Sequence, residues 1–302
     1  MGAAVGRIVR CASVAMSFFG IAACASRHGA EGLLLGNHFD VRPDVPYDTG
    51  ARQHLDVYRP RRTTPGGVPV IVFIHGGTWQ RGSKEEYRLV GDAVTRRGLV
   101  AVVISYRVYP SVIFPAWVDD AARAVRWVSD SIRAYGGDPK QLFVVGHSAG
   151  GHIAALLAVD AHYLRRVGLH PDAVSGYVSI AGPLDNVWTD PVEQALMGPR
   201  EGWLATNPTQ LVTARLNTPV LLLHGDVDET VAVAKSLSFA ARVRQYGGCA
   251  RTIVYRKLGH AGIVVAFSVP RFGIAPVLDD VIAFVEQPTA FACKKWKRNP
   301  SS

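Results

Sequence analysis

The sequence predicts an α/β fold, a mostly parallel central sheet with helices on both faces and a small cap insertion. Three observations carry this. Short apolar runs, the mark of strands buried on both faces, alternate with segments of ten or more residues at helical spacing. A Gly-x-Ser-x-Gly, at Gly146-His147-Ser148-Ala149-Gly150, sits where one such run meets a helical segment. The 302 residues, 48% apolar, can bury one large core, which fits one domain of roughly 250 residues.

In chain order, Arg7 and Arg10 precede an apolar run over residues 11–23, too short to span a bilayer as a stable helix but right for the core of a signal peptide. Residues 24–46 mix Gly, His, Asp and Pro with little periodicity and read as a tether and an irregular arm. Residues 53–59 alternate and end at Pro60, an edge-strand pattern. The runs at 70–74, 100–105, 142–145, 177–180, 220–223 and 252–255 read as further strands. Helical segments fall at 84–97, closed by Gly98, at 115–135, closed by Gly136-Gly137, directly after Ser148, at 231–246 and at 276–286. Residues 182–216, rich in Trp, Met and Pro, are too long for a simple crossover and follow a strand, so they read as a cap above the serine. A catalytic domain over 47–290 and a basic tail over 291–302 complete the division.

The formal charge is +9, partly from Lys294-Lys295-Trp296-Lys297-Arg298. No basic groove with interleaved aromatics and no recognition helix accompanies it, so a nucleic-acid partner is not expected.

A serine at a sharp strand-to-helix turn is held in strained backbone with its Oγ projecting, and glycines two before and two after make room for the turn. The new helix points its amides at whatever the serine attacks. Ser148 is therefore the candidate nucleophile. It needs a base, and the base an acid to fix its tautomer. With strand-borne loops ordered nucleophile, acid, base, the acid follows the strand at 220–223, and Asp226, Asp228 and Glu229 compete for it. Asp226, beside Gly225, suits a local turn cap; Asp228 lies further into the loop and is favoured. Of ten histidines only His260 follows these acids, which makes it the base. An oxyanion needs preorganised donors. Ala149 offers one amide, and the loop His75-Gly76-Gly77-Thr78-Trp79 after the 70–74 strand offers Gly77 and Thr78. Gly76, Trp79 and the elbow residue His147 flank these positions and are expected to meet substrate. Such a triad requires neither metal nor cofactor, and none is expected.

Together His75-Gly76-Gly77-Thr78-Trp79, Ser105-Tyr106-Arg107 with Phe114-Pro115, Tyr135-Gly136-Gly137-Asp138-Pro139, the Ser148 pentapeptide and His224-Gly225-Asp226-Val227-Asp228 resemble the α/β-hydrolase superfamily. The likeness is to its HGGxW-type carboxylesterase branch, with hormone-sensitive-lipase-like esterases, isoprenylcysteine methylesterase-like enzymes and kynurenine formamidases. It covers about residues 47–286, with Leu55-Asp56-Val57-Tyr58-Arg59-Pro60 as the opening strand. Thr78 departs from the pattern, standing where lipase-like members carry a third glycine. The resemblance implies a serine carboxylesterase acting on small acyl or aryl esters. Arylformamide hydrolysis by the same triad is the alternative; a non-catalytic hydrolase-fold binder would be expected to lack a triad residue.

Ile21-Ala22-Ala23-Cys24 resembles a bacterial lipobox, which implies cleavage after residue 23, acylation of Cys24, export and anchoring in the cell envelope. Export would put Cys249 and Cys293 in an oxidising compartment. Cys249 precedes a strand and Cys293 follows the last helix, so both belong at the edge of the sheet opposite the active site, and a disulfide between them is expected.

Overall fold

The computed structural model describes residues 38–293. The segment expected to be a signal, Cys24 with its expected acylation, and residues 294–302 of the expected basic tail lie outside the described residues.

Eight strands form one sheet: β1 (Phe39–Pro46), β2 (His54–Pro60), β3 (Val68–Ile74), β4 (Val100–Ile104), β5 (Gly137–His147), β6 (Val174–Ile180), β7 (Val220–Gly225) and β8 (Ala250–Tyr255). Their order is β1-β2-β4-β3-β5-β6-β7-β8. β1 and β2 run antiparallel to their neighbours and the other six strands are parallel. The main helices are α1 (Arg88–Thr95), α2 (Ala116–Ser131), α3 (Ala149–Val159), α4 (His162–Arg166), α5 (Pro191–Met197), α6 (Pro208–Leu211), α7 (Val233–Gln245), α8 (His260–Ser268), α9 (Val277–Glu286) and α10 (Pro288–Cys293).

The strand pleat divides the core. From β3, Val70, Val72 and Ile74 face α2, α3 and α7, while Ile71 and Phe73 face α1, α8 and α9. Adjacent strands repeat this period of two, so each face of the sheet carries one continuous apolar layer. Every residue of β4 and β7 is buried, which is why these strands read as unbroken apolar runs in the sequence.

The sheet differs from the sequence expectation at its first edge. Residues 39–46, expected to be irregular, form β1 and pair with β2, which is therefore an interior strand and not an edge. β1 had no apolar face to betray it, because four of its eight residues in a row are exposed. The register shift between Arg42 and Val45 brackets Asp44, whose φ of 54° bends the strand there. Outside the insertion, α4, α8 and α10 also lack a sequence forecast. α8 begins at His260 itself and α10 enters the stretch expected to be tail. Cys249, just before β8, and Cys293, at the end of α10, form a disulfide with Cα atoms 4.7 Å apart.

The insertion over residues 182–216 folds as α5, a 3-10 turn (Arg200–Thr206) and α6. Asp190 caps α5 by accepting from the amides of Val192 and Glu193. Thr206 fastens the insertion to the body of the fold. Its carbonyl lies 2.7 Å from His152 Nε2 on α3, while its hydroxyl accepts from Trp188 Nε1 within the insertion at 2.7 Å.

Candidate active site

Ser148 stands between β5 and α3 with φ 54° and ψ −120°, a conformation that costs an L-residue energy and is kept because the surroundings fix it. Its amide donates to Ile180 O on β6 at 2.8 Å. A side chain on Gly146 would collide with the Gly150 carbonyl, and one on Gly150 with the Ile74 carbonyl. Close approach of three backbone segments therefore dictates both glycines of the motif.

His260 Nε2 is 2.8 Å from Ser148 Oγ, and His260 Nδ1 is 2.8 Å from Asp228 Oδ2. Asp228 Oδ1 accepts from the amides of Thr230 and Val231, each at 2.9 Å. The Asp228 side chain is fully buried. Burial pushes its carboxyl pKa up, but the hydrogen bonds from Val231, His260 and Thr230 outweigh burial and hold it below the ordinary value. The carboxylate thus stays ionised beside the ring it orients.

The two loops that carry acid and base are stitched to each other. Val227 N donates to Leu258 O at 3.2 Å, and Lys257 N donates to Asp226 Oδ1 at 2.6 Å. Asp226, the rival candidate, is exposed and serves this turn. Glu229 is also exposed.

The loop after β3 packs directly on the nucleophile: a side chain on Gly76 would lie within 3.2 Å of Ser148 Cβ. Gly77 has φ 121° and passes so close to the Arg81 carbonyl that no side chain fits. Thr78 and Trp79 follow with φ 53° and 57°, rare for a β-branched and a bulky residue. The turn that glycine makes easily elsewhere is here made under strain by a threonine, whose hydroxyl donates to Gly77 O at 2.8 Å. Among the described residues, the amides of Gly77, Thr78 and Ala149 have no acceptor. The Gly76 amide does have one, the Tyr87 hydroxyl at 3.3 Å, so Gly76 serves by close approach and not as a donor. Tyr106 supports the same loop, its hydroxyl donating to His75 O at 3.0 Å and its ring stacked 4.2 Å from that of His75.

Two residues expected to meet substrate are placed differently. Trp79 is 3% exposed and forms edge-on contacts with His152 and Trp188, at 5.1 and 5.8 Å between rings. It joins the loop to the cap insertion instead of lining open space. His147 is 6% exposed and holds the base: its Nε2 lies 3.0 Å from His260 O. Burial and the neighbouring His260 push its pKa down to about 3, so its ring is neutral and its Nε2–H donates to that carbonyl. Sequence reasoning missed His224, four residues before Asp228. It is fully buried and 3.3 Å from Asp228 Oδ2; only its i, i+4 spacing from Asp228 hinted at the contact.

Among the described residues no group of three His, Cys, Asp or Glu side chains is arranged to hold a metal ion.

A strained serine between strand and helix, hydrogen-bonded in series to His260 and Asp228 on the loops after β8 and β7 of this strand order, defines an α/β-hydrolase fold. The chain belongs to the BD-FAE family, whose model matches residues 55–243. It is 28% identical to the probable isoprenylcysteine alpha-carbonyl methylesterase ICMEL1 of Arabidopsis thaliana, over 81% of this chain and 56% of that protein. It is 30% identical to esterase LipQ of Mycobacterium tuberculosis, over 80% of this chain and 62% of that one. The chain thus spans somewhat over half the length of these relatives. A truncated carbohydrate esterase from gut microbiota has the same fold, with TM-score 0.73 and 20% identity over 85% of this chain and 99% of its own. The Pyrobaculum calidifontis esterase aligns with TM-score 0.66 and 25% identity over 83% of this chain and 86% of its own.

Proposed function

We propose that the chain is a serine carboxylesterase that hydrolyses small acyl or aryl esters through an acyl-enzyme on Ser148. One observation carries the reading: an unbroken hydrogen-bond chain from Ser148 Oγ through His260 to a buried, ionised Asp228, beside amides that have no other acceptor. In the reaction, His260 Nε2 takes the Ser148 proton as Oγ attacks the ester carbonyl carbon. The carbonyl π-bond opens onto oxygen, and that oxyanion is received by the amides of Ala149 and the Gly77–Thr78 loop, already aimed and needing no reorganisation. Asp228 keeps the His260 Nδ1–H in place and stabilises the imidazolium. The tetrahedral species collapses, the alkoxide leaves with the proton from His260, and Ser148 carries the acyl group. Water then repeats the sequence, with His260 as its base, and releases the acid.

The names of the relatives, esterases and methylesterases, favour ester over formamide bonds. The test is turnover of p-nitrophenyl acetate and butyrate set against an N-formyl aromatic amine, with mass analysis after an organophosphonate. Ester turnover and one phosphonyl group on Ser148 are expected, both lost in Ser148→Ala. An intact chain that neither turns over nor labels would overturn the reading.

The same proposal places the mature chain in the bacterial cell envelope, anchored by acylated Cys24. The Arg7–Arg10 charges, the apolar run to residue 23 and the lipobox-like tetrapeptide support this, and the Cys249–Cys293 disulfide suits an oxidising compartment. Intact-mass analysis of the membrane fraction is the check. A mature N-terminus beyond residue 24, or an unmodified Cys24, would overturn it.

A further inference from the structure

His224, at the end of β7, lies behind the triad with its side chain fully buried. Its Nδ1 is 2.8 Å from Ser236 Oγ on α7. Its Nε2 is 2.8 Å from the Val231 carbonyl and 3.3 Å from Asp228 Oδ2. That carboxylate oxygen is the one that also binds His260 Nδ1.

These neighbours leave one tautomer. Nε2 faces a carbonyl and an ionised carboxylate, neither of which has a proton to give, so a lone pair there would press on two oxygens. Nδ1 faces a hydroxyl, which can donate. The proton therefore sits on Nε2, and Ser236 donates to Nδ1. Burial lowers the His224 pKa, against the opposing pull of the Val231 carbonyl and Asp228, so the ring is neutral with a single N–H.

We propose that His224, locked by Ser236, is a positioning residue for the triad, whose Nε2–H braces the Asp228–Val231 turn and shares Asp228 Oδ2 with His260. The inference rests on the serine-hydrolase reading above. Two consequences follow. The turn that supplies two amides to Asp228 Oδ1 is held closed across its open side through the Val231 carbonyl. A second donor on Oδ2 also draws charge from the carboxylate, which tempers its hold on the His260 imidazolium.

The titratable groups around this pair are few. The His147 ring lies tilted against that of His260 with centroids 5.0 Å apart, while Asp228 lies between His260 and His224. Asp226, Glu229 and Lys257, on the flanking loops, are exposed. Lys235, next to Ser236 on α7, is turned to the Asp185 carbonyl at 2.8 Å and to Asn186.

The experiment uses the mature chain and three variants. His224→Phe keeps the ring volume and removes both nitrogens, His224→Gln can return an N–H near Nε2, and Ser236→Ala removes the lock. Nitrogen–proton correlation spectra of the imidazoles read the tautomer, and the ring C–H signals of His260 read its titration without any need for turnover. The expected result is an Nε2-protonated His224 in the wild type. In His224→Phe the titration midpoint of His260 moves to higher pH, and the acid limb of kcat/KM for p-nitrophenyl acetate moves with it. There kcat falls about ten- to a hundredfold at pH 8, the rate equivalent of one hydrogen bond to a charged group, with KM nearly unchanged. His224→Gln recovers most of the rate, and Ser236→Ala lies between. An Nδ1-protonated His224, or a His260 midpoint unmoved in the variants, overturns the proposal. Should His224→Phe not fold, the wild-type tautomer and Ser236→Ala decide it. A wild type with the expected spectra but no turnover instead refutes the hydrolase reading, and an active wild type with an unmoved midpoint refutes this one.

Discussion

Asp226 and Asp228 lie two positions apart in one loop, yet their environments assign them opposite roles. The Asp228 side chain is fully buried, accepts two amides on one oxygen and touches two histidines with the other. Asp226 is exposed and accepts one backbone amide. An asparagine at 226 retains a carbonyl oxygen to accept that amide, so Asp226→Asn should leave kcat/KM within about threefold, in line with the small effects of surface changes. Asp228→Asn should lower kcat about a thousand- to ten-thousandfold, because its amide N–H can force His260 into the wrong tautomer. Steady-state hydrolysis of a p-nitrophenyl ester compares the two, and a larger loss at 226 would reassign the acid. At this scale the sequence was most informative. The candidate nucleophile followed from its Gly-x-Ser-x-Gly turn, and the candidate base and favoured acid from order along the chain, since the chemistry demands residue types at the ends of successive strands. The parts that were not legible depend on three-dimensional neighbours. Trp79 reads as a substrate contact beside an oxyanion loop, and only the packing of His152 and Trp188 against it shows its indole taken by the cap. His224 reads as the end of a strand until Asp228 folds back over it.

Single elements are fastened to the sheet by two devices of different chemistry. The first ties the β1–β2 hairpin to the segment that follows the His75–Trp79 loop. Lys84, its side chain 4% exposed, places Nζ 2.6 Å from Asp44, 2.9 Å from Asp56 and 2.6 Å from Glu85, and its amide donates to Ser105 Oγ at 3.0 Å. Burial works against the ammonium, but hydrogen bonds to Asp44, Glu85 and Asp56 outweigh it and raise the Lys84 pKa. Asp56, its side chain 3% exposed, is the partner with no water to fall back on. Lys84→Met keeps the stem and removes the charge, leaving that carboxylate buried and unpaired. A loss of about 3–5 kcal/mol in urea unfolding is expected, and a change under 1 kcal/mol would mean that the cluster is solvated. The second device is the Cys249–Cys293 bridge, which ties α10 to the strand at the β8 edge and closes 44 residues. Chain entropy assigns such a loop about 4 kcal/mol. Cys249→Ser should lose stability of that order in the same assay, with esterase activity at 25 °C retained, because the bridge sits at the edge of the sheet remote from Ser148. Strands were legible where burial on both faces leaves an unbroken apolar run, and helices where one face is apolar and the other is not. β1 escaped because its stability comes from pairing with β2 and from the Asp44 and Asp56 contacts, not from an apolar stripe. α8 escaped because it is apolar all round, so no period of 3.6 distinguished it from a buried strand or loop.

The whole molecule carries its acid sensitivity in buried histidines. His75 and His152 are fully buried and His147 nearly so. Burial pushes their pKa values down from 6.5 to about 4, 4 and 3 respectively. His224 is lowered as well, by burial first. In the unfolded chain each ring takes up a proton as the pH falls through 6.5, whereas in the folded chain none does until about pH 4. Between these limits the unfolded state binds more protons, so stability rises with pH and is lost on acidification. Each ring contributes up to about 1.4 kcal/mol per pH unit over that window. Asp280 and Glu193 act in the opposite sense, because burial raises their carboxyl pKa values and the folded state protonates first; they flatten the low-pH end. The three numbered histidines together give a slope on the order of 4 kcal/mol per pH unit near pH 5.5. Down to pH 4 the loss is on the order of 9 kcal/mol, a large share of a total stability of about 5–15 kcal/mol. The check is urea unfolding at pH 7, 6 and 5, with calorimetry in buffers of different ionisation enthalpy to count the protons taken up. About three should be absorbed on unfolding at pH 5. A protein that still unfolds cooperatively at pH 3.5, with no proton uptake at pH 5, would mean that these rings are charged and paired in the folded chain, and the tautomers assigned to His147 and His224 would fall with it.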